Sequence, residues 1–449
     1  MKKPSRRTFL RCAAVALATP WIVPSRVVTP CAMAQNVTLP NNILRMGMIG
    51  TGRQCYHVNI PGFVRNRRNQ VVALCDVDSW RLGEAKKKVL ELYEQSVSLV
   101  KPKSVETYVD YRELLARSDI DTVLISTPDH WHAVQAVDAM RAGKHVALEK
   151  PITRSIAEGQ EIVRVAAETK RVFRVDSEFR SGKGAHRAAE LVRNGRLGKI
   201  TKALVCVPET DIPCPPQPEM PVPKELDYQR WLGPAAEAPY TLNRVHSPQK
   251  WDRPGWMRLL DYCDGMITNW GSHLLNGALW ALGLDRTGPL EVEGTGTYPD
   301  PESFWNVLLK FEVKYKYADG IEVVYKTDKP FYRIEGERGW IEASFDWAEG
   351  YSPEGIRASS ESLLNEIIGD DEIRFPLRTE KEDFIDTILS GGETLEPAIV
   401  GHCATTACLL GHIAIRTGEK LRWDPEKEQF LDSPKAAGYL DKPIMTSGD

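Results

Sequence analysis

Between Arg45 and Lys150 short apolar runs alternate with amphipathic stretches, and that alternation leaves few folds open. Met46–Ile49, Val71–Cys75, Thr122–Ser126 and His145–Leu148 read as strands. Ser79–Tyr93, Tyr111–Ala116 and Trp131–Ala142 read as the helices between them. Strand–helix repetition of this kind builds a parallel sheet covered on both faces, because each crossover must return the chain to the same end. Helices at Ile156–Thr169 and Ala185–Asn194 bracket one more strand, Val172–Asp176.

The texture changes after Lys199. Val207–Lys224 is dense in proline and reads as a long ordered loop. Beyond it Leu290–Tyr298, Asn306–Val313, Ile321–Lys326, Phe331–Glu335 and Trp340–Ala343 have strand character. Their short connections predict an antiparallel sheet. Helices at Glu380–Leu389 and Gly401–Arg416 follow, and the tail after Trp423 is polar and reads as irregular.

The first 34 residues read differently. Ser5-Arg6-Arg7-Thr8-Phe9-Leu10 is a twin-arginine string, Cys12–Val23 is apolar, and Ala32-Met33-Ala34 offers a small-residue cleavage site. These parts in this order predict a signal peptide; the apolar run, broken at Pro20 and Pro24, is too short to span a bilayer. The expected partner is the twin-arginine export machinery, and the expected location is periplasmic or extracellular. The formal net charge of −3 points away from nucleic-acid and membrane partners. The cysteines are scattered and form no CxxC pair, so neither a disulfide framework nor a metal site is expected.

The first strand runs into Gly50-Thr51-Gly52-Arg53-Gln54-Cys55. Gly50 permits a tight turn, and Gly52 lets the backbone approach a pyrophosphate at a helix N-terminus. Cys55 stands where a third glycine is usual. Asp76 ends the second strand, where a carboxylate accepts bonds from an adenosine ribose. A carboxylate there repels a 2′-phosphate, which favours NAD; Arg81 nearby keeps NADP open. The bland alternative is a strand–turn–helix that needs glycines only for its turn. The expected fold class is an α/β Rossmann dinucleotide-binding domain over residues 35–175 plus an α+β domain over 176–424 with a large, mostly antiparallel open sheet. Residues 425–449 would be a tail.

Two further motifs follow in order: Ser126-Thr127-Pro128-Asp129-His130-Trp131-His132-Ala133, then Ala142-Gly143-Lys144-His145-Val146-Ala147-Leu148-Glu149-Lys150-Pro151. With the paired glycines, they resemble the Gfo/Idh/MocA oxidoreductases, the family of glucose–fructose oxidoreductase and inositol dehydrogenase, and among these the secreted bacterial members. The resemblance spans Arg45 to Trp423. It implies that Lys150 lies beside the nicotinamide and the reacting hydroxyl, with Pro151 after a cis peptide. Gly50, Thr51, Gly52, Arg53, Gln54, Asp76, Ser126, Thr127, Pro128, His132 and Glu149 would line the cofactor site with Lys150 and Pro151. The family's second domain carries an acid four residues before a histidine. Here the matching positions are Asn269 and His273, so an amide stands in place of the acid. Lys150, His273 and Asn269 are the implied catalytic set, with Asp264 a candidate for the missing carboxylate.

Oxidising a secondary alcohol needs a base for the hydroxyl proton as hydride leaves, and histidine titrates in the right range. Glu178, His246, Trp256 and His273 are candidate substrate contacts, with Trp251, Asp261 and Tyr262 nearby; tryptophans beside polar groups suit a sugar. The alternative is that these aromatics are core anchors. His130 reads as a surface histidine, and His402 and His412 as packing or surface residues rather than metal ligands. Three functions stay open at this point. One is NAD(P)-linked oxidation or reduction of a sugar or polyol. The second is a redox-neutral glycoside hydrolysis or sugar–sugar exchange with the cofactor held throughout. The third is non-catalytic sugar binding. An open sheet with one apolar face also suggests a homo-oligomer.

Overall fold

The computed structural model describes residues 43–96, 100–209, 213–318, 320–345 and 354–441. The expected signal peptide at residues 1–34 lies outside the described residues.

Six parallel strands form the first sheet: β1 Leu44–Ile49, β2 Asn69–Cys75, β3 Glu106–Tyr108, β4 Thr122–Ile125, β5 His145–Glu149 and β6 Phe173–Asp176. Their order is β3-β2-β1-β4-β5-β6, so the chain reverses direction across the sheet between β1 and β4. A crevice opens at such a reversal, outside the carboxyl ends of the strands. Every residue of β2 is buried, as a sheet covered on both faces requires. Capping fixes the helix starts. Asp78 accepts from the amides of Trp80 and Arg81, and Ser155 and Glu158 form a reciprocal capping box.

The second sheet has nine strands: β7 Ile200–Val207, β8 Glu291–Thr297, β9 Lys310–Lys316, β10 Glu322–Thr327, β11 Phe331–Gly336, β12 Gly339–Ala343, β13 Ile356–Ala358, β14 Leu421–Asp424 and β15 Gln429–Phe430. Their order is β13-β12-β11-β7-β10-β9-β8-β14-β15. The sheet is antiparallel except where β7 pairs with β10. One strand of this sheet, β7, occupies a stretch read above only as a change of texture. The expected strand at Asn306–Val313 shifts to Lys310–Lys316, because Asn306 turns its side-chain oxygen to the Leu260 amide at 2.8 Å instead of joining the ladder. The polar tail is not irregular: β15 packs Phe430 on Trp423, and a short helix covers Pro434–Ala437.

One face of this sheet is spent on helices. Phe311, Val313 and Tyr315 of β9 pack in a single core with the helices Lys183–Arg193, Gly271–Leu282 and Ala398–Thr417. The other face carries Lys310, Glu312, Lys314 and Lys316, all exposed. The outward side of β9 is therefore charged. Ala398–Thr417 is apolar and long enough to cross a membrane, yet 89% of its apolar window is buried inside the fold. A helix hydrophobic on all sides is satisfied by a protein interior.

The chain also returns to the first sheet. Phe384, on the helix Glu380–Ser390, joins the core beside Phe63, with ring centroids 6.4 Å apart. Val175 of β6 donates its amide to the Glu396 carbonyl at 2.9 Å. Late sequence thus braces the strand ends where the site is built.

Candidate active site

The turn after β1 is shaped for a ligand. Gly50 has φ +82°, and a Cβ there would meet the Ser126 carbonyl oxygen at 2.6 Å. Gly52 is the opposite case: a Cβ would touch nothing within 4 Å, so the space in front of its backbone is free. Tyr56 returns its amide to the Gly52 carbonyl at 2.9 Å. Amides earlier in that first turn have no acceptor inside the helix, the arrangement that binds a pyrophosphate. Cys55 is fully buried, so its small side chain fits where the third glycine is usual. Asp76 lines the same groove. Its carboxylate accepts from the Thr51 amide at 2.6 Å, the Thr51 hydroxyl at 2.9 Å and the Asp78 amide at 2.8 Å. Burial pushes its pKa up against those bonds. These features fit a dinucleotide.

The groove continues past Ser126, Thr127, Pro128 and His132 to Glu149, Lys150 and Asn269. The Lys150–Pro151 peptide is cis. Lys150 Nζ donates to Asn269 Oδ1 at 3.3 Å, joining the end of β5 to the helix Met266–Asn269. His273 is buried, with Nδ1 2.9 Å from Ser177 Oγ and 4.0 Å from Glu178 Oε2. Burial, and then the charge of Lys150, hold its pKa well below the ordinary range, so the imidazole is neutral. Glu149 accepts from Asn59 at 2.9 Å. Burial and the nearby Asp176 push it up to about 8. Behind it Lys381 bonds Asp176 at 2.8 Å and Glu380 at 2.7 Å. A single turn of π-helix over Cys55–Asn59 brings Asn59 to this cluster.

Residues 44–177 match the NAD-binding Rossmann fold of the Gfo/Idh/MocA oxidoreductases, and residues 215–447 match that family's C-terminal alpha/beta domain. The chain belongs to the Gfo/Idh/MocA oxidoreductase family. It is 32% identical over 161 residues to an alpha-N-acetylgalactosaminidase of Shewanella oneidensis, a stretch covering 35% of this chain and 33% of the relative. A glycosyl hydrolase family 109 protein of Shewanella woodyi is 32% identical over 158 residues, covering 35% of this chain and 32% of that protein. The chain thus spans about a third of the length of the curated relatives it matches. Among solved structures, an aldose–aldose oxidoreductase from Caulobacter crescentus has a TM-score of 0.60 at 19% identity, covering 85% of this chain and 99% of that one. The WlbA dehydrogenase of Bordetella pertussis, solved with NADH and UDP-GlcNAcA, has a TM-score of 0.60 at 17% identity, covering 85% and 99%. At these identities the likeness is one of fold.

Within this Gfo/Idh/MocA fold several expected site residues stand elsewhere. His246 bonds Asp78 Oδ2 at 2.9 Å, which puts it at the Asp76 end of the groove, not with Lys150. Trp251 goes with it, stacked on Tyr56 at 4.2 Å and 4.9 Å from the Arg81 guanidinium. Arg81 is buried and donates to the carbonyls of Ser247 and Lys250, so it is not the free cation a 2′-phosphate would need. Asp261 pairs with Arg244 at 3.0 Å, and Tyr262 is core. Asp264 is buried between Arg154 at 3.4 Å and His412 at 3.2 Å, and cannot serve Lys150. His130 is not on the surface: it is buried with Nε2 3.0 Å from the Trp231 carbonyl. His402 sits against Glu428 at 2.6 Å. Trp256 lines the groove as expected; Glu178, exposed and 4.0 Å from His273, is not among the lining residues, nor is His273.

His132 lines the groove and starts a helix, as expected. Its ring nitrogens lie 2.7 Å from the Pro151 carbonyl and 2.9 Å from the Thr127 carbonyl. It therefore ties the turn after β4 to the turn after β5, and burial pulls its pKa down to about 4. Sequence reasoning passed over Ser177, Gln135 and Asp129. Gln135 takes the Thr127 hydroxyl at 2.7 Å, and Asp129 lines the groove near Lys150. Asp129 stood in a quoted motif; an acid in the turn that follows the third strand was the available signal.

Proposed function

We propose that this protein oxidises a hydroxyl-bearing carbon of a sugar or polyol while holding NAD in the groove. One observation carries the reading: Lys150, held by Asn269 beside the neutral His273, ends a groove that begins at the open face of Gly52. The nicotinamide, when bound, supplies a hydride acceptor. Lys150 offers positive charge to an alkoxide that develops as the hydroxyl loses its proton. Asn269 orients Lys150 through its carbonyl and leaves its amide N–H groups for a hydroxyl. His273, kept neutral, offers hydrogen bonding rather than charge. Trp256, which lines the groove, suits the apolar face of a polyhydroxylated ring. The names of the relatives and structural neighbours, an N-acetylgalactosaminidase and an aldose–aldose oxidoreductase, support a sugar.

A second reading, redox-neutral turnover with one retained cofactor, is favoured by the segment that crosses the Asp76 end. Residues 246–251 are fastened there by His246 on Asp78, by Arg81 on two of their carbonyls, and by Trp251 on Tyr56. A cofactor under such a strap exchanges slowly. Twin-arginine export to the periplasm or beyond, read from residues 1–34, agrees with this, since a pool of free NAD is a cytosolic resource. Self-association through the open face of the second sheet belongs to this reading as well.

The test is to denature the purified protein, identify the released dinucleotide, and follow nicotinamide absorbance with aldoses and with p-nitrophenyl N-acetyl-α-galactosaminide. Copurified NAD, reduced transiently and without net accumulation, is the redox-neutral outcome. Steady NADH release is the dehydrogenase outcome. A protein that neither carries nor binds dinucleotide would overturn both.

A further inference from the structure

On the reading above, Asp76 faces the adenosine ribose. The base of a dinucleotide lies beyond that ribose, over the outer strands of the sheet. Here that ground is a slot past the ends of β2 and β3. Val77, Tyr111, Arg112 and Trp131 line it from the first domain. Two more lining residues, Arg230 and Trp231, come from the second domain, on the short helix Tyr228–Leu232.

That helix is fastened to the first domain at both ends. Asp227, at its start, donates its amide at 2.9 Å to the carbonyl of Val77, the residue after Asp76. At its finish the Trp231 carbonyl accepts from Trp131 Nε1 at 2.9 Å and lies 3.0 Å from His130 Nε2. Asp227 also fixes the pose of Arg230. Its Oδ1 accepts the Arg230 amide at 3.1 Å, and its Oδ2 accepts Nη1 at 2.6 Å. The charge of Asp227, and after it those of Asp110 and Glu113, raise the pKa of Arg230, which sets the guanidinium beside the end of β3.

The Arg230 side chain is 53% exposed, and an exposed ion pair of this kind adds little to stability. What Arg230 offers a ligand is a flat face more than a charge. Arg230 and Arg112 each already face a carboxylate, Asp227 at 2.6 Å and Asp110 at 3.4 Å. Two neutralised guanidiniums suit a 2′-phosphate poorly. A guanidinium whose edge is taken still stacks on an aromatic ring. Arg112 does so within the protein, 4.6 Å from the centre of the Tyr111 ring. Arg230 lines the groove with its pose already set. We propose that Arg230 closes over the adenine base of the bound dinucleotide, so that the base is held between the two domains. The inference rests on the dinucleotide reading of the groove and adds to it a residue of the second domain.

The experiment is calorimetric titration of the full chain, freed of nucleotide by dialysis, for wild type, Arg230→Ala and Arg230→Lys. The ligands are AMP, nicotinamide mononucleotide, NAD and NADP. Arg230→Ala is expected to weaken AMP and NAD alike, by about five- to tenfold, as loss of a stacked guanidinium implies. Nicotinamide mononucleotide lacks the adenine and should bind within about twofold of its wild-type affinity. Arg230→Lys keeps the charge without the plane, and should stay nearly as weak as Arg230→Ala. If Arg230→Ala does not fold, Asp227→Asn keeps a helix cap while loosening the guanidinium, and must still weaken AMP more than nicotinamide mononucleotide. Four results would overturn the assignment: unchanged AMP affinity in Arg230→Ala, full recovery in Arg230→Lys, an equal loss for nicotinamide mononucleotide, or a loss seen with NADP and not with NAD. A wild type that binds neither NAD nor AMP would sink the dinucleotide reading itself. A wild type that binds both, with Arg230→Ala indistinguishable from it, would sink the Arg230 assignment alone.

Discussion

Lys150 and Asp76 mark the two ends of the groove, and each makes a contact that fixes what its loss should do. Lys150 bonds Asn269 across the two sheets' territories, so Lys150→Met removes charge at the reacting end without touching the glycine turn. We expect turnover to fall by roughly a thousandfold, with dinucleotide still released on denaturation; an unchanged rate would take Lys150 out of the chemistry. Asp76 has a structural task besides the proposed ribose contact. It also holds the Thr51 amide and hydroxyl, so it braces the turn it helps to line. Asp76→Ala should weaken NAD binding by about 1.5–3 kcal/mol, the range for hydrogen bonds to a charged group. Calorimetric titration giving wild-type affinity would remove the ribose role. Neither residue's partner was readable from the chain: the spacing of Asp76 from Gly52 suggested a ligand, and only the fold revealed Thr51 as its first neighbour.

At the scale of elements, the segment His246–Trp251 is the least foreseeable part of the site. Its histidine and tryptophan looked like substrate residues because they precede Asn269 and His273 in sequence. The chain instead passes over β2. Asp227 donates its amide to the Val77 carbonyl at 2.9 Å, and Ser79 donates to the Glu225 carbonyl at 2.8 Å, so the following strap is delivered to the Asp76 end. Asp78 serves two elements at once: Oδ1 caps the helix Ser79–Glu94 and Oδ2 takes His246. His246→Ala with Trp251→Ala removes one charge-assisted bond and one stacked, cation-facing ring. Displacement of bound NAD by a fluorescent analogue should quicken by about tenfold or more, with the melting temperature little changed. Release as slow as in the wild type would show that the strap is not what retains the cofactor.

For the whole molecule, the buried titratable groups set how stability follows pH. His130 and His132 are pulled down by burial to about 3 and about 4. Between those values and the ordinary 6.5, the unfolded chain binds protons that the folded one refuses, so stability rises with pH. Glu396 and Glu149 are pushed up by burial, to about 7 and about 8, from an ordinary 4.5. Between 4.5 and those values the folded chain keeps protons that the unfolded one has lost, so stability falls as pH rises. Below 6.5 the two effects oppose; above it only the carboxyls remain. The melting temperature should therefore decline from about pH 6.5 to about pH 8, each group contributing up to about 1.4 kcal/mol per pH unit. Glu396→Gln, which mimics the neutral acid and keeps an oxygen for Asn276, should flatten that decline. A melting temperature that is level or rises over this window would contradict the buried neutral carboxyls.

The glycine turn at Gly50–Gly52, the parallel sheet and its helices, and the antiparallel character of the later sheet were written in local patterns: apolar period, turn residues and caps, each set by neighbours along the chain. The sequence also carried the marks of Lys150–Pro151 and of Asn269 with His273. What it left undecided is which distant side chains meet. The pairing of Asp264 with Arg154 and His412, the removal of His246 and Trp251 to the Asp76 end, and the burial of Asp129 all arise from contacts between residues more than a hundred positions apart or from desolvation. Neither quantity has a local signature: a carboxylate in a turn looks the same in sequence whether the fold leaves it in water or closes it against a lysine.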